Sequence, residues 1–425
     1  MTRAVARLLA ALAAGMIASG LLGATAHAQS TPAESPKAAN VQPAMTEAGK
    51  VLTGIDVLAA SGFAPLKGLR VGLLTNPAGR TRSGQSTIDA LAGAPGVTLA
   101  ALFSPEHGLD GDREGDIESR RDARTGLPVH SLYGTTRRPL GSMLAGLDAV
   151  VIDLQDVGVR FYTYATTMAY ILEAAAKRKL KVIVLDRPNP IGAAGVRGPL
   201  PDPDVKSFTN YFRLPVQHGM TLGELGRLFN AERRIGADLT VIVIAMQGYA
   251  RASWYDETGL AWVAPSPNLR SLAGTTLYPG VGLIEDTNVS VGRGTPTPFE
   301  VIGAPWMDGP ALAAALQRRG IAGVRFASAA FTPTASRYAG RRCNGIRIEL
   351  TDRAALDASR LGIELAVALR KLHPDRFAVR DMFRLLASRE ILAAIEAGED
   401  PAAIERRWQP GLRAFMELRA KYLLY

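Results

Sequence analysis

Carboxylic acids follow several short aliphatic segments of this sequence, at positions where a parallel sheet would end its strands. Glu106 lies in a Ser-Pro-Glu-His-Gly turn after one segment, and Asp153 and Asp156 follow another. Because the carboxyl ends of parallel strands meet at one edge, these acids are expected to lie close together. Paired carboxyl groups exchange protons with a substrate, and they also suit a hard cation. The competing interpretation is structural, since Asp153 could cap a helix or pair with Arg160.

Amides, aromatic rings and arginines accompany these acids. Asn76 and Asn189 each precede a proline, so each either builds a turn or reaches into a site. The remaining candidates are His107, Arg160, Tyr162, Tyr164, Glu285, Asn288 and Arg293. Aromatic faces pack on the C–H surfaces of sugars, amides and carboxylates bind hydroxyls, and paired acids cleave acetals. The set therefore favours a carbohydrate site.

Several other chemistries lack their motifs. The sequence contains no G-x-G-x-x-G after the first predicted strand, no G-x-x-x-x-G-K-[ST], no H-E-x-x-H and no G-x-S-x-G. The five histidines, at positions 27, 107, 130, 218 and 373, form no pair with metal-ligand spacing. The formal charge is +10, but no Lys/Arg run is interleaved with aromatics, so nucleic acid is not an expected partner. We expect neither a required metal nor a cofactor.

A repeated strand, turn and helix pattern must position these residues. Strands are predicted at 71–74, 99–103, 149–154, 182–185 and 241–244, and their uninterrupted aliphatic runs are typical of a parallel sheet covered on both faces. Helices are predicted at 163–179 and after Thr221, which forms a capping box with Glu224. The predicted fold is a Rossmann-like parallel α/β sheet.

The C-terminal part of the chain begins with a change in amino-acid composition. The stretch 264–300 is rich in Gly, Pro, Asn, Thr and Ser, and we predict a long functional loop there. Beyond it, strands at 324–331 and 345–350 are followed by helices. We therefore predict a Rossmann-like domain over 51–272 and a smaller α/β domain over 273–425.

The N-terminus has the features of an export signal. Two arginines precede an apolar run that ends in an Ala-His-Ala pattern, which predicts a signal peptide over 1–28 with cleavage after Ala28, followed by a disordered linker over 29–50. The single cysteine, Cys343, provides neither a lipid-anchor site at the cleavage point nor an intramolecular disulfide. We expect an exported, periplasmic or extracellular protein without a stable membrane anchor.

Six longer motifs make the sequence recognisable. They are FSPEHG (103–108), DLQDVGVRFYTY (153–164), LDRPNP (185–190), APSPNL (264–269), EDTNVSVGRGT (285–295) with PFE (298–300), and YLLY (422–425). Together they resemble the exo-β-N-acetylmuramidase family, from about residue 54 to the end of the chain. One departure is Asp286, which stands where a glycine is expected. If that position had a positive φ, Asp would be strained.

The resemblance implies hydrolysis of non-reducing-end, β-linked N-acetylmuramic acid from peptidoglycan fragments. Glu106 is then the catalytic acid, and Glu285, Asp153 or Asp156 is the second carboxylate, although the substrate's acetamido group could replace a protein nucleophile. The resemblance also implies an active-site cleft between the two domains. The residues that it places in this cleft are Asp153, Asp156, Arg160, Tyr162, Tyr164, Asn189, Glu285, Asn288 and Arg293. Arg160 and Arg293 are the candidates for binding the lactyl carboxylate that distinguishes muramic acid from glucosamine. The alternatives are a non-catalytic sugar-binding protein and a cell-wall esterase or amidase.

Overall fold

Seven strands form the larger of two sheets in the structure, a computed structural model that describes residues 51–233, 235 and 239–425. The strands are β1 (Arg70–Thr75), β2 (Thr98–Ser104), β3 (Arg120–Arg121), β4 (Pro128–Ser131), β5 (Ala149–Asp153), β6 (Lys181–Leu185) and β7 (Val241–Ile244). Their order is β3-β4-β2-β1-β5-β6-β7, and every neighbouring pair is parallel except β3 with β4. The predicted parallel α/β fold is confirmed.

Helices cover both faces of this sheet. They are α1 (Gly54–Ala60), α2 (Thr87–Ala92), α3 (Tyr164–Ala176) and α4 (Leu222–Glu232). One apolar cluster joins α1 and α2 to β1 and β5, and a second lies beneath α3 and α4 on the opposite face. Alternate side chains of each strand enter the two clusters, which is why the strands read as continuous aliphatic runs. The predicted capping box of Thr221 and Glu224 opens α4, with the Thr221 amide 3.0 Å from the Glu224 carboxylate.

A smaller antiparallel sheet follows in the chain. It contains β8 (Val301–Ala304), β9 (Val324–Phe331) and β10 (Cys343–Leu350), with β10 in the middle. The helices of this part are α5 (Leu272–Val281), α6 (Gly309–Arg318), α7 (Ala358–Leu372), α8 (Phe383–Leu386), α9 (Arg389–Glu396) and α10 (Pro401–Ala420). One apolar cluster continues from the larger sheet into these elements.

The prediction of a long loop over 264–300 is wrong in part, because helix α5 lies inside this stretch. Its sequence, LAGTTLYPGV, contains glycine, threonine and proline, which disfavour helices in isolation. Packing overrides these propensities. A Cβ atom on Gly280 would collide with the backbone of α7 at Ala358, so glycine is needed for the two helices to approach this closely.

The segment 422–425 packs against the larger sheet. The Tyr425 hydroxyl donates to the Asp186 carboxylate at 2.9 Å, and the Leu424 amide donates to Glu224 at 2.8 Å. Asp186 lies directly after β6 and is fully buried, and burial raises the pKa of its carboxyl to about 6. The C-terminal segment therefore completes polar sites that belong to the first sheet.

The predicted signal peptide and linker lie outside the described residues, and the boundary between 272 and 273 stays a prediction. None of the described helices combines the length and apolar character needed to cross a membrane.

Candidate active site

A cavity of about 630 Å³ lies beside the carboxyl ends of β2 and β4, at the start of α3. Its other walls come from the segment 285–299 and from α8. Five of the predicted site residues line it, namely Glu106, His107, Tyr162, Glu285 and Arg293. Its further lining includes Tyr133, Arg137, Thr163, Phe208, Ser266, Asn268, Tyr278, Asp286, Phe299, Arg337 and Arg384.

Glu106 is held at the cavity wall through both its backbone and its carboxylate. The Thr163 hydroxyl donates to Glu106 Oε2 at 2.6 Å, and the Tyr164 hydroxyl lies 3.2 Å from the Glu106 carbonyl oxygen. The turn after Glu106 is tight, with φ of 71° at His107 and 77° at Gly108. His107 keeps this turn closed because its Nδ1 donates to the Arg113 carbonyl oxygen at 2.9 Å.

Tyr133 adds a second polar contact on this wall. Burial and the adjacent Glu106 carboxylate raise the pKa of Tyr133 to about 12. Its hydroxyl therefore stays protonated near neutral pH, where it can act as a donor. Glu106 thus has one hydroxyl hydrogen-bonded to it and a second beside it, while its side chain remains only half-buried.

Glu285 is the second carboxylate on the cavity. It follows a short helical turn after α5, and its Oε1 lies 2.5 Å from Arg293 Nη1. Burial raises the pKa of the Glu285 carboxyl, and the charge of Arg293 opposes that effect. Arg293 Nη2 also binds Glu114 at 2.8 Å, so one guanidinium joins two acids.

Glu114 belongs to the loop that follows Glu106 and reaches across to the C-terminal part. It accepts a hydrogen bond from Asn268 at 2.6 Å in addition to the Arg293 contact. Burial acts to raise the pKa of Glu114, but these two hydrogen bonds prevail and lower it. The loop is thereby fastened to the same arginine that orients Glu285.

Asp286, the predicted departure, is not strained. Its φ is not among the positive values, so no glycine conformation is required at this position. Its carboxylate instead forms a two-pronged ion pair with Arg384 of α8, one contact being 2.5 Å. An aspartate in place of the expected glycine therefore provides a salt bridge between two walls of the cavity.

Aromatic rings form an apolar wall between the two acids. The Tyr278 ring lies edge-on to Tyr162 and Phe299, with centroid distances of 6.4 Å and 4.8 Å. Burial, together with the charges of Glu285 and Glu106, raises the pKa of Tyr278 well above its ordinary value. Both acids are thus close enough to act on one tyrosine. Such a wall can pack on the C–H face of a sugar ring.

Two predicted acids do not reach the cavity. Asp153 has no exposed surface, and it is held by Arg187 at 2.5 Å and by Thr87. Asp156 is 6% exposed, accepts from the Gly158 amide at 2.7 Å and faces His218 Nε2 at 3.5 Å. Asp153 is the last residue of β5 and Asp156 follows the strand. Both side chains turn into the protein, where they stabilise the loops at this end of the sheet.

Arg160 also points away from the cavity. It is 3% exposed and donates to the Leu385 carbonyl at 2.7 Å, the Leu386 carbonyl at 3.2 Å and Asn210. Among the residues that the structure describes, no carboxylate pairs with it, and burial lowers its pKa. Its observed role is to join the segment before α3 to α8.

Three of the four remaining predicted residues hydrogen-bond to the protein itself, and the fourth, Asn76, is buried without such a bond. The Tyr164 hydroxyl binds the Pro265 carbonyl at 2.7 Å and so supports Glu106 from behind. The Asn189 and Asn288 amides bind the Met220 and Arg376 carbonyls. Asn76 is 3% exposed, and neither of its amide atoms has a hydrogen-bond partner in the described part of the chain. None of the four lines the cavity.

Several cavity residues were not predicted from the sequence. Thr163, Asn268 and Asp286 lie inside the recognised motifs, and their position in those motifs is the one sequence feature that could have indicated a place in the site. Tyr133, Arg137 and Phe208 lie outside the motifs, and only the packing of loops against the sheet brings them together. Within 51–233, 235 and 239–425, no three His, Cys, Asp or Glu side chains are grouped closely enough to hold a metal ion.

Comparison with known proteins identifies the family. A family model described as exo-β-N-acetylmuramidase NamZ, N-terminal, matches residues 71–273, and its C-terminal counterpart matches residues 276–425. The chain is 42% identical, over 381 residues, to the peptidoglycan β-N-acetylmuramidase NamZ of Bacillus subtilis strain 168, covering 88% of this chain and 92% of that protein.

Two crystal structures of DUF1343 family proteins from Bacteroides fragilis NCTC 9343 share the fold. The first has a TM-score of 0.82 and 35% identity, covering 89% of this chain and 99% of its own. The second has a TM-score of 0.74 and 31% identity, covering 88% and 99%. The chain belongs to the exo-β-N-acetylmuramidase family of glycoside hydrolases.

Proposed function

We propose that this protein releases β-linked N-acetylmuramic acid from the non-reducing end of peptidoglycan fragments. The observation that carries the proposal is Glu106, an acid at a strand end whose carboxylate is oriented by Thr163 at 2.6 Å in a cavity with a tyrosine-rich wall. A carboxyl group fixed beside an apolar sugar-binding wall is what acid-assisted cleavage of an acetal requires. The family membership supports the same reaction.

Glu106 serves as the proton donor in this mechanism. Its proton passes to the glycosidic oxygen while the bond from that oxygen to the anomeric carbon breaks, and the reducing-side sugar leaves as an alcohol. The Thr163 hydroxyl occupies Oε2, which leaves Oε1 for the substrate. Tyr164 holds the Glu106 backbone in place through the peptide carbonyl.

Glu285 serves as the second carboxylate, taking a proton from the water that attacks the anomeric carbon. Asp153 and Asp156 do not fill this role, because the first has no exposed surface and the second lies off the cavity. Asp286 lines the cavity, but Arg384 engages both of its oxygens. Burial raises the pKa of the Glu285 carboxyl, which makes its ionised form a stronger base.

The substrate proposal is tested by incubating the purified protein with a 4-nitrophenyl β-N-acetylmuraminide and with the corresponding β-N-acetylglucosaminide. We expect nitrophenol release from the first and much less from the second. Binding of both without turnover would indicate a sugar-binding protein. Release of peptide or acetate from peptidoglycan with both glycosides left intact would indicate an amidase or an esterase.

We also propose that the protein is exported and acts in the periplasm or outside the cell. The support is the basic, apolar and small-residue pattern of residues 1–28, which is typical of a cleaved signal. Mass spectrometry of the protein isolated from its host should give a mature N-terminus at or near Gln29. An intact Met1 would contradict the proposal.

A further inference from the structure

Four arginines line the cavity, and two of them are already neutralised by acids. Arg293 binds Glu285 and Glu114, at 2.5 Å and 2.8 Å. Arg384 binds both carboxylate oxygens of Asp286. A substrate carboxylate would have to compete with these internal partners. Neither arginine is therefore well suited to recognise an anionic group on the substrate.

Arg137 differs from these two. Its guanidinium carbon lies 5.0 Å from the centre of the Tyr133 ring and 4.6 Å from the centre of the Phe208 ring. Among the described residues it forms no salt bridge and no hydrogen bond, although it lines the cavity. Contact with two rings restricts the side chain and leaves the N–H edge of the guanidinium available, which is the geometry that binds a carboxylate with two hydrogen bonds.

Arg137 is also close to the catalytic acid. Tyr133, whose ring it contacts, is near enough to Glu106 for the carboxylate to raise the pKa of the tyrosine hydroxyl. The fourth arginine, Arg337, also lacks a carboxylate partner within the described part of the chain, but it donates a hydrogen bond of 3.4 Å to the Asp286 backbone carbonyl. Arg337 therefore lies beside the Asp286–Arg384 ion pair, whereas Arg137 lies beside Glu106.

We propose that Arg137 is a specificity-determining residue that binds the free carboxylate of the substrate's 3-O-lactyl group. The inference rests on the proposed function, because N-acetylmuramic acid differs from N-acetylglucosamine by this one ether-linked acid. An amide at the same position carries no charge, and it would form a weaker interaction with the guanidinium. Arg137 replaces Arg160 and Arg293, the sequence-based candidates, since the first points away from the cavity and the second is neutralised by two acids.

The test compares three 4-nitrophenyl β-glycosides: the muraminide, the same muraminide with its lactyl carboxylate converted to an N-methylamide, and the N-acetylglucosaminide. The readout is the ratio of kcat/KM for the carboxylate to that for the amide. We expect Arg137→Ala to lower kcat/KM for the carboxylate by about tenfold, a typical effect for a partly exposed charged hydrogen bond, and to bring the ratio close to one. Arg137→Lys should restore part of the ratio, because it keeps the charge but not the planar fork.

Arg138→Ala is the matched control. Arg138 is the neighbouring arginine, but it lies over Tyr170 and pairs with Glu173 outside the cavity lining. It should leave the ratio at the wild-type value. An unchanged ratio in Arg137→Ala, or a ratio that collapses in Arg337→Ala instead, overturns the inference while muraminide hydrolysis by the wild type still supports the proposed function. Absence of muraminide hydrolysis by the wild type contradicts the proposed function, and the inference with it.

Discussion

Glu106→Gln is expected to lower kcat on the natural disaccharide by about 10² to 10⁴, the range for loss of a general acid. Glutamine has the same shape, and it can still accept the hydrogen bond from Thr163 at 2.6 Å, so the fold should be retained. The measurement is steady-state hydrolysis of disaccharide, together with a thermal melt to establish folding. KM should change little, because the lost interaction is the proton transfer.

The leaving group provides the control for this variant. A 4-nitrophenyl or 2,4-dinitrophenyl muraminide needs little protonation, so Glu106→Gln should lose much less rate on these compounds than on the disaccharide. Thr163→Val removes the orienting hydroxyl but keeps the acid, and it should cause a smaller loss of about tenfold on the disaccharide. Equal losses on good and poor leaving groups would show that Glu106 is not the proton donor.

Glu285→Gln is expected to lower kcat by about 10² or more on every glycoside, whatever its leaving group. The physical reason is that the base acts on the attacking water, a step that leaving-group quality does not replace. Azide, which needs no deprotonation, should restore part of the activity of Glu285→Ala. The products can be followed by chromatography, since attack by azide gives a glycosyl azide.

Asp286→Asn is the neighbouring control, because it removes an adjacent acid that also lines the cavity but is engaged by Arg384. Its loss should be below about tenfold, as expected for a partly exposed ion pair. The role of Glu285 as the base would be contradicted by near-normal hydrolysis in Glu285→Gln, combined with loss of activity on substrates that lack the 2-acetamido group. That outcome would assign the attack to the substrate's own acetamido group.

The sheet was predictable because its strands are buried on both faces. Val150, Val151 and Ile152 alternate between the two apolar clusters, so no polar residue interrupts the run. Glu106 was predictable because Pro105 and Gly108 indicate a turn directly after β2, at the edge of the sheet where ligands bind. Helix α5 was not predictable from local propensity, because contact with α7 outweighs its Gly and Pro residues.

The cavity lining was predictable only in part. Position after a strand indicates the edge of the sheet but not the direction in which a side chain turns. Asp153 lies at the carboxyl end of β5, as expected, but the buried Arg187, from the loop after β6, holds its side chain inside the protein. No sequence pattern indicates that Arg137 belongs to the cavity. Its position depends on contacts with Tyr133 and Phe208, which are far apart in the chain.

The packing of residues 422–425 bears on the order in which the chain acquires structure. The segment can pack only once it has been synthesised, well after β7 (Val241–Ile244). Until then, Asp186 and Glu224 each lack one of their hydrogen-bond donors, so the polar sites between β6 and α4 stay incomplete. Although the strands of the larger sheet come first in the chain, the sheet has its full set of polar contacts only once residues 422–425 have packed against it.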